Sequence, residues 1–131
     1  MAKAFLGGTC NGSKWRDAVM PKLKIDYFNP VVPEWNDEAR KRELDARENS
    51  DYCVYVLTPK MTGMYAVAEV ADDSNKRPEK TVFCYLPTDE DAAFDAKQTK
   101  SMEQVKKLVA RNGAHVVDNL DELVKFLNGE N

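Results

Sequence analysis

Apolar residues fall along this chain in short unbroken runs, separated by longer stretches where they recur every three or four positions. The runs at 4–7, 52–57, 81–86 and 114–117 are strand-like, and within them 54–57 and 82–86 are apolar without alternation, as strands covered on both faces should be. A weaker run occupies 25–28. Helical periodicity marks 37–48, 64–74, 101–111 and 120–127. Ser13 reads as the cap of a first helix that Pro21 kinks or ends. Asn112-Gly113 is a stop for the helix ending at Arg111, and Asn119 with Glu122 forms a capping box for the last helix. The polar segment 88–100 reads as a loop with a short helix. Strand and helix alternate five times, which predicts a mainly parallel sheet with helices on both faces.

The expected topology is a flavodoxin-like α/β fold, a single domain over 1–131 with five strands in the order 2-1-3-4-5. Ligands of such sheets bind beyond the carboxyl ends of strands, where strand order reverses. That rule places a site beside 8–12, after the first strand, and 58–63, after the third.

Composition narrows the partners. Charged residues make up 31% and the net charge is −3, which excludes the clustered basic surface that nucleic acid requires. No apolar stretch approaches the length of a membrane span, and the N-terminus reads as lacking a signal peptide. Three cysteines, two of them inside predicted strands, read as reduced thiols of a cytoplasmic protein. With one histidine and no paired-cysteine spacing, no metal site is expected, and no cofactor motif is complete.

The stretch GGTCNGSK, residues 7–14, comes close to a phosphate-binding loop, but Ser13 precedes Lys14 where that motif needs the lysine first. It does not fit G-x-G-x-x-G either. What the glycines do permit is close approach of backbone N–H groups to a ligand ahead of a helix; a tight turn with no ligand fits the same residues. TPKMTG, residues 58–63, echoes the loop of response-regulator receivers. Thr58, however, stands where the phospho-acceptor aspartate belongs, and Gly8 and Thr9 stand where an acidic pair belongs.

Three segments in order, FLGGTCNGSKWR, FNPVVPEW and NSDYCVYVLTPKMTGMYAVAEV, make the chain resemble the nucleoside 2-deoxyribosyltransferase-like family over roughly residues 4–128. The resemblance implies a flavodoxin-like sheet and a glutamate, after the third strand, that attacks C1′ of a deoxynucleoside. Glu69 matches that glutamate, and a carboxylate suits the task because it stabilises oxocarbenium charge and needs no activation. Asp51 matches a second acid that meets or protonates the departing base. Gly7, Gly8, Thr9 and Asn11 match the loop beside the sugar, and Gly63 and Tyr65 flank the nucleophile. Two positions depart from the family pattern. Phe5 stands where the transferases carry a tyrosine, and Gly63 stands where they carry an acid, six residues before the nucleophile. Tyr65, one turn before Glu69, is the candidate replacement hydroxyl.

Helical geometry alone puts Glu69 on a face with Tyr65, Ala66, Asp72 and Asp73, which also fits a solvated acidic surface. Asp51 equally fits a strand-entry residue. Trp35 and Trp15 could stack on a nucleobase or pack, His115 reads as structural, and the charged run 37–47 reads as an exposed helix laced with ion pairs. The expectation is therefore an enzyme that cleaves or transfers at the N-glycosidic bond of nucleosides or nucleotides, acting as a homo-oligomer, at least a dimer. The alternative is a non-catalytic nucleotide-binding module of the same fold.

Overall fold

The computed structural model describes residues 2–10 and 12–130. Five strands form one parallel sheet: β1 (Lys3–Gly8), β2 (Asp26–Phe28), β3 (Tyr52–Leu57), β4 (Thr81–Tyr85) and, last in the chain, β7 (His115–Val116). Their order is β2-β1-β3-β4-β7, the flavodoxin-like order predicted. The label of the last strand differs only because a two-stranded antiparallel hairpin, β5 (Thr88–Asp89) and β6 (Ala92–Ala93), precedes it. The helices are α1 (Trp15–Val19), α2 (Asp37–Asn49), α3 (Tyr65–Lys76), α4 (Ala96–Arg111) and α5 (Leu120–Leu127).

Strand alternation divides the core in two. Val54 and Val56 of β3 point with Leu6, Val82 and Cys84 into the layer under α1 and α5, joined by Trp15, Leu123 and Leu127. Cys53, Tyr55 and Leu57 point the other way, with Phe5 and Phe83, against Val70 of α3 and Met102 and Val109 of α4. Both faces of β3 are therefore dry, which is why its sequence shows no alternation.

The ends differ from the expectations in places. Ser13 is not the N-cap of α1: that residue is Lys14, without a side-chain cap bond. The Ser13 hydroxyl instead donates to Asp89 and accepts weakly from the Trp15 N–H. Segment 88–100 is not a loop with a short helix, since α4 already begins at Ala96 behind a capping box of Asp95 and Gln98. Pro21 falls in the 3-10 turn that follows α1.

The carboxyl edge of the sheet is tied together by polar contacts. Thr9 N–H donates to Val56 O at 2.9 Å, and Thr58 N–H donates to Thr9 Oγ1 at 2.9 Å. Gly8 has φ +113°, and its backbone lies against Val56 with no room for a side chain. Glycine is the residue that position requires. Gly8 and Thr58 thus stand at one edge, as the alternation of elements predicts.

Candidate active site

Two connected lobes open at this edge. The larger, about 450 Å³, lies between the loops after β1 and β3 and the facing sides of α2 and α3. The smaller, about 240 Å³, runs beneath Pro30, Val31 and Val32. Gly8, Cys10, Trp35, Glu43 and Glu69 line both.

The floor is shaped from below by Arg16. Its guanidinium is buried and donates to Leu6 O at 2.9 Å and Thr9 O at 2.7 Å. Trp15 Nε1 also donates to Thr9 O, at 2.9 Å. Together they fix the carbonyls of the glycine turn and leave its other side facing the cleft. Trp15 is accordingly a packing residue and does not reach the lobes. Trp35, 56% exposed, forms part of their wall.

Glu69 sits on α3 with only 8% exposure, so it is no part of a solvated face. Its Oε2 is sealed from solvent and accepts no hydrogen bond among the described residues, while Arg47 Nη1 stands 3.4 Å away. Arg47 comes from the last turn of α2 and is itself buried. It donates to Asp73 Oδ1 at 2.9 Å and Oδ2 at 3.4 Å. Asp73, wholly buried one turn beyond Glu69, also accepts from the Tyr55 hydroxyl and from Arg77 Nε at 3.0 Å. Helices α2 and α3, strand β3 and the residue that ends α3 thus meet through one carboxylate. Burial and the negative charge of Asp73 push the Tyr55 hydroxyl far above its ordinary range, and it stays a donor. Arg47 is held charged despite its burial, above all by its hydrogen bonds to Asp73.

The Glu69 carboxyl is pushed up from its ordinary 4.5 to about 8, first by burial and next by Glu43; Arg47 opposes the shift. Glu43, half-buried on α2, lies within hydrogen-bonding reach of it. Two acids this close do not both ionise readily. Near neutrality the cleft therefore holds a carboxyl pair with one proton, backed by a fixed cation.

Most sequence-predicted residues meet here. Gly7 lines the smaller lobe, and Thr9, Gly63 and Tyr65 line the larger, with Gly8, Trp35 and Glu69 common to both. Asn11 lies outside the described residues. Asp51 does not belong to the site. It precedes β3, at the amino edge of the sheet, where its Oδ2 accepts from the Lys3 N–H at 2.8 Å. The length of a six-residue strand, roughly 20 Å, separates it from the cleft. Tyr65 is 69% exposed on the rim and makes no hydrogen bond to Glu69 among the described residues, so it does not replace the missing strand-one hydroxyl. Phe5 is buried against Phe28 and Tyr55.

Sequence reasoning missed Arg47, Glu43, Asp73 and Tyr55. The run 37–47 is not uniformly exposed, because α2 turns Arg40, Glu43, Leu44 and Arg47 toward the larger lobe. The available signal was the small pair Ala39 and Ala46, seven residues apart, which marks the face that packs inward.

His115 is structural, with its ring 4.7 Å from that of Phe126. Among the described residues no group of three or more His, Cys, Asp or Glu is placed to hold a metal. No helix among them is long and apolar enough to cross a membrane.

Residues 2–88 match the family described as nucleoside 2-deoxyribosyltransferase like. That span contains every residue lining the two lobes. No curated protein matches the chain.

Proposed function

The chain belongs to the nucleoside 2-deoxyribosyltransferase-like family, and from that premise we propose that it cleaves or transfers at the N-glycosidic bond of nucleosides or nucleotides, with Glu69 as nucleophile. The observation that carries this reading is the position of Glu69, which lines both lobes where they meet while its Oε2 is held back against Arg47. A nucleoside has two unequal halves joined by a single bond. A carboxyl at the waist of a two-lobed cleft stands where that bond would lie.

In this reading the Glu69 carboxylate attacks C1′ as the C1′–N bond breaks and its electron pair leaves with the base. The sugar remains as an ester on Glu69, and water or a second base then attacks C1′ and returns the electron pair to the carboxylate. Gly7, Gly8 and Thr9 face the sugar, and Trp35 offers a flat surface to the base. Arg47 takes over the orienting task that Phe5, lacking a hydroxyl, does not perform. Anchored by Asp73, it presents a fixed positive charge behind the oxygen that must ionise. The assembly belongs to the same proposal: at least a dimer, which light scattering tests against the 14.8 kDa monomer mass.

The deciding experiment is a chromatographic screen of nucleosides and nucleotides for released base, with wild type beside Glu69→Gln. Loss of the charge should lower the rate roughly a thousandfold or more. A slow 2-fluoro sugar should leave a covalent adduct on the Glu69 peptide, visible by mass spectrometry. Base release at an undiminished rate by Glu69→Gln removes Glu69 from the chemistry. Tight nucleotide binding without any release by the wild type makes the protein a binding module.

A further inference from the structure

A base leaving from C1′ carries an extra electron pair and departs far more easily once protonated. With Asp51 at the opposite edge of the sheet, another donor is required. Arginines do not release a proton at ordinary pH, which sets aside Arg16, Arg40 and Arg47. Tyr65 stands out on the rim. The Cys10 Sγ–H is already directed at Gly8 O, 3.3 Å away. Among the described residues one carboxyl other than Glu69 lines the lobes, and it lines both of them: Glu43.

We propose that Glu43 is the acid–base residue of this cleft, protonating the base that leaves while Glu69 takes the sugar. The proposal rests on the nucleoside reading above and assigns a role that reading left empty. Glu43 lies one turn before Arg47 on α2, so the helix that supplies the cation behind Glu69 also supplies the acid in front. As the C1′–N bond breaks, its electron pair takes the proton of the Glu43 carboxyl, giving neutral base, Glu43 carboxylate and the sugar ester of Glu69. In the second half Glu43 accepts a proton from the attacking water, or from the N–H of an incoming base. The new bond forms at C1′ while the ester C1′–O bond breaks toward Glu69. The pair ends as it began, with one proton.

The charges around the pair favour this division. Arg47 of α2 stands against Glu69, and Asp73 of α3 and Tyr55 of β3 lie behind it; Arg40 is the further cation on the Glu43 side. Glu69 is the carboxyl that burial and Glu43 push up, against the opposing charge of Arg47; transfer of its proton to the adjacent Glu43 gives the nucleophile its charge and the departing base its acid. A proton on the pair survives to about pH 8 because of burial and mutual repulsion.

The test uses two substrates and three proteins: wild type, Glu43→Gln and Glu69→Gln. Deoxyadenosine has a base that must be protonated on leaving. The N7-methylated deoxyguanosine carries a cationic base that leaves neutral without a proton. Glu43→Gln should slow release from deoxyadenosine on the order of a hundredfold, and release from the methylated substrate about tenfold less severely. Glu69→Gln should lose both. The wild-type rate on deoxyadenosine should fall as pH rises through about 8, and the methylated substrate should lack that limb. Independently of turnover, the carbon-13 carboxyl titration of Glu69 should move down in Glu43→Gln, with an unchanged melting curve. Equal losses on the two substrates, or no loss on deoxyadenosine, overturn the assignment of Glu43 alone. A Glu69 titration unmoved by Glu43→Gln does so too. Absence of release from either substrate by the wild type overturns the nucleoside reading, and this proposal with it.

Discussion

Gly8→Ala should be the most damaging alanine substitution available at a glycine of this protein. An ideal Cβ at residue 8 lies 2.1 Å from Val56 O and 2.6 Å from Val56 N, whereas ordinary contact begins at 3.4 Å. Relief requires β1 to withdraw from β3 by about 1.3 Å, the gap between the shortest approach and that limit. The obstacle is backbone in the middle of a sheet, so no rotamer change removes it. Withdrawal breaks the Thr9 N–H bond to Val56 O, a loss of about 1 kcal/mol. A side chain at φ +113° adds roughly 1–2 kcal/mol of backbone strain, and overpacking roughly 1–3 kcal/mol. The expected total is about 3–6 kcal/mol, or a fall of roughly 10–25 °C in Tm for a domain of this size.

Two other glycines serve as graded controls in the same thermal and urea melts followed by circular dichroism. Gly12 shares a positive φ, +73°, but has nothing within 4 Å of the added carbon, so Gly12→Ala should cost about 1 kcal/mol. Gly63 has neither the clash nor the positive φ, and Gly63→Ala should change stability by less than about 0.5 kcal/mol either way. If Gly8→Ala loses no more than Gly12→Ala, the close approach of β1 and β3 is not as described, and the cleft floor built on it fails too.

Further outcomes follow from the buried network and the sheet edges. Asp73→Asn removes the negative charge facing Arg47 and Arg77 and replaces one of the two accepting oxygens with an N–H donor, and should cost about 3–5 kcal/mol in calorimetry; a loss under about 1 kcal/mol contradicts the network. Glu69 binds its proton more tightly folded than unfolded, so its contribution is complete below about pH 4.5 and declines as pH rises toward about 8. At full strength that shift is worth roughly 5 kcal/mol, and solvent in the cleft reduces it to on the order of 2 kcal/mol. The stability difference between wild type and Glu69→Gln, measured from pH 4 to 9, should show that slope, and a flat difference refutes it. Asp51→Asn takes the charge from the exposed acceptor of the Lys3 N–H and should cost under about 1 kcal/mol with turnover unchanged. Collapse of base release in that variant would restore its sequence-based role.

The sheet was legible because β3 and β4 are apolar on both faces, a pattern that only a covered parallel strand demands. β5 and β6, two residues each, are too short to show any period. The early start of α4 had a readable signal, Asp95 with Gln98 three residues on, but polar residues around it hide the helix. In the site, the glycine turn and Glu69 were legible from their spacing and company. Asp51 was misplaced although strand polarity was already in hand: a residue preceding a strand lies at the amino edge, away from the ligand edge. Arg47 and Glu43 were illegible for a different reason. Their helix, DEARKRELDAREN, carries charge on every side, so composition does not reveal which charges are buried. That is decided by Asp73, a residue on another element.

The β5–β6 hairpin has a consequence for anyone dissecting or transplanting this domain. Asp89 Oδ2 accepts from Ser13 Oγ and from Thr58 Oγ1, each at 2.6 Å, and the neighbouring Glu90 pairs with Lys60. One carboxylate thus brackets the two loops that wall the cleft, although it lines neither lobe. A fragment cut at residue 88, where the family match ends, would keep every cleft-lining side chain and discard the bracket that sets their spacing. The smallest portable unit is therefore longer than the sequence signature suggests, and graft boundaries belong beyond residue 93, after the hairpin has closed.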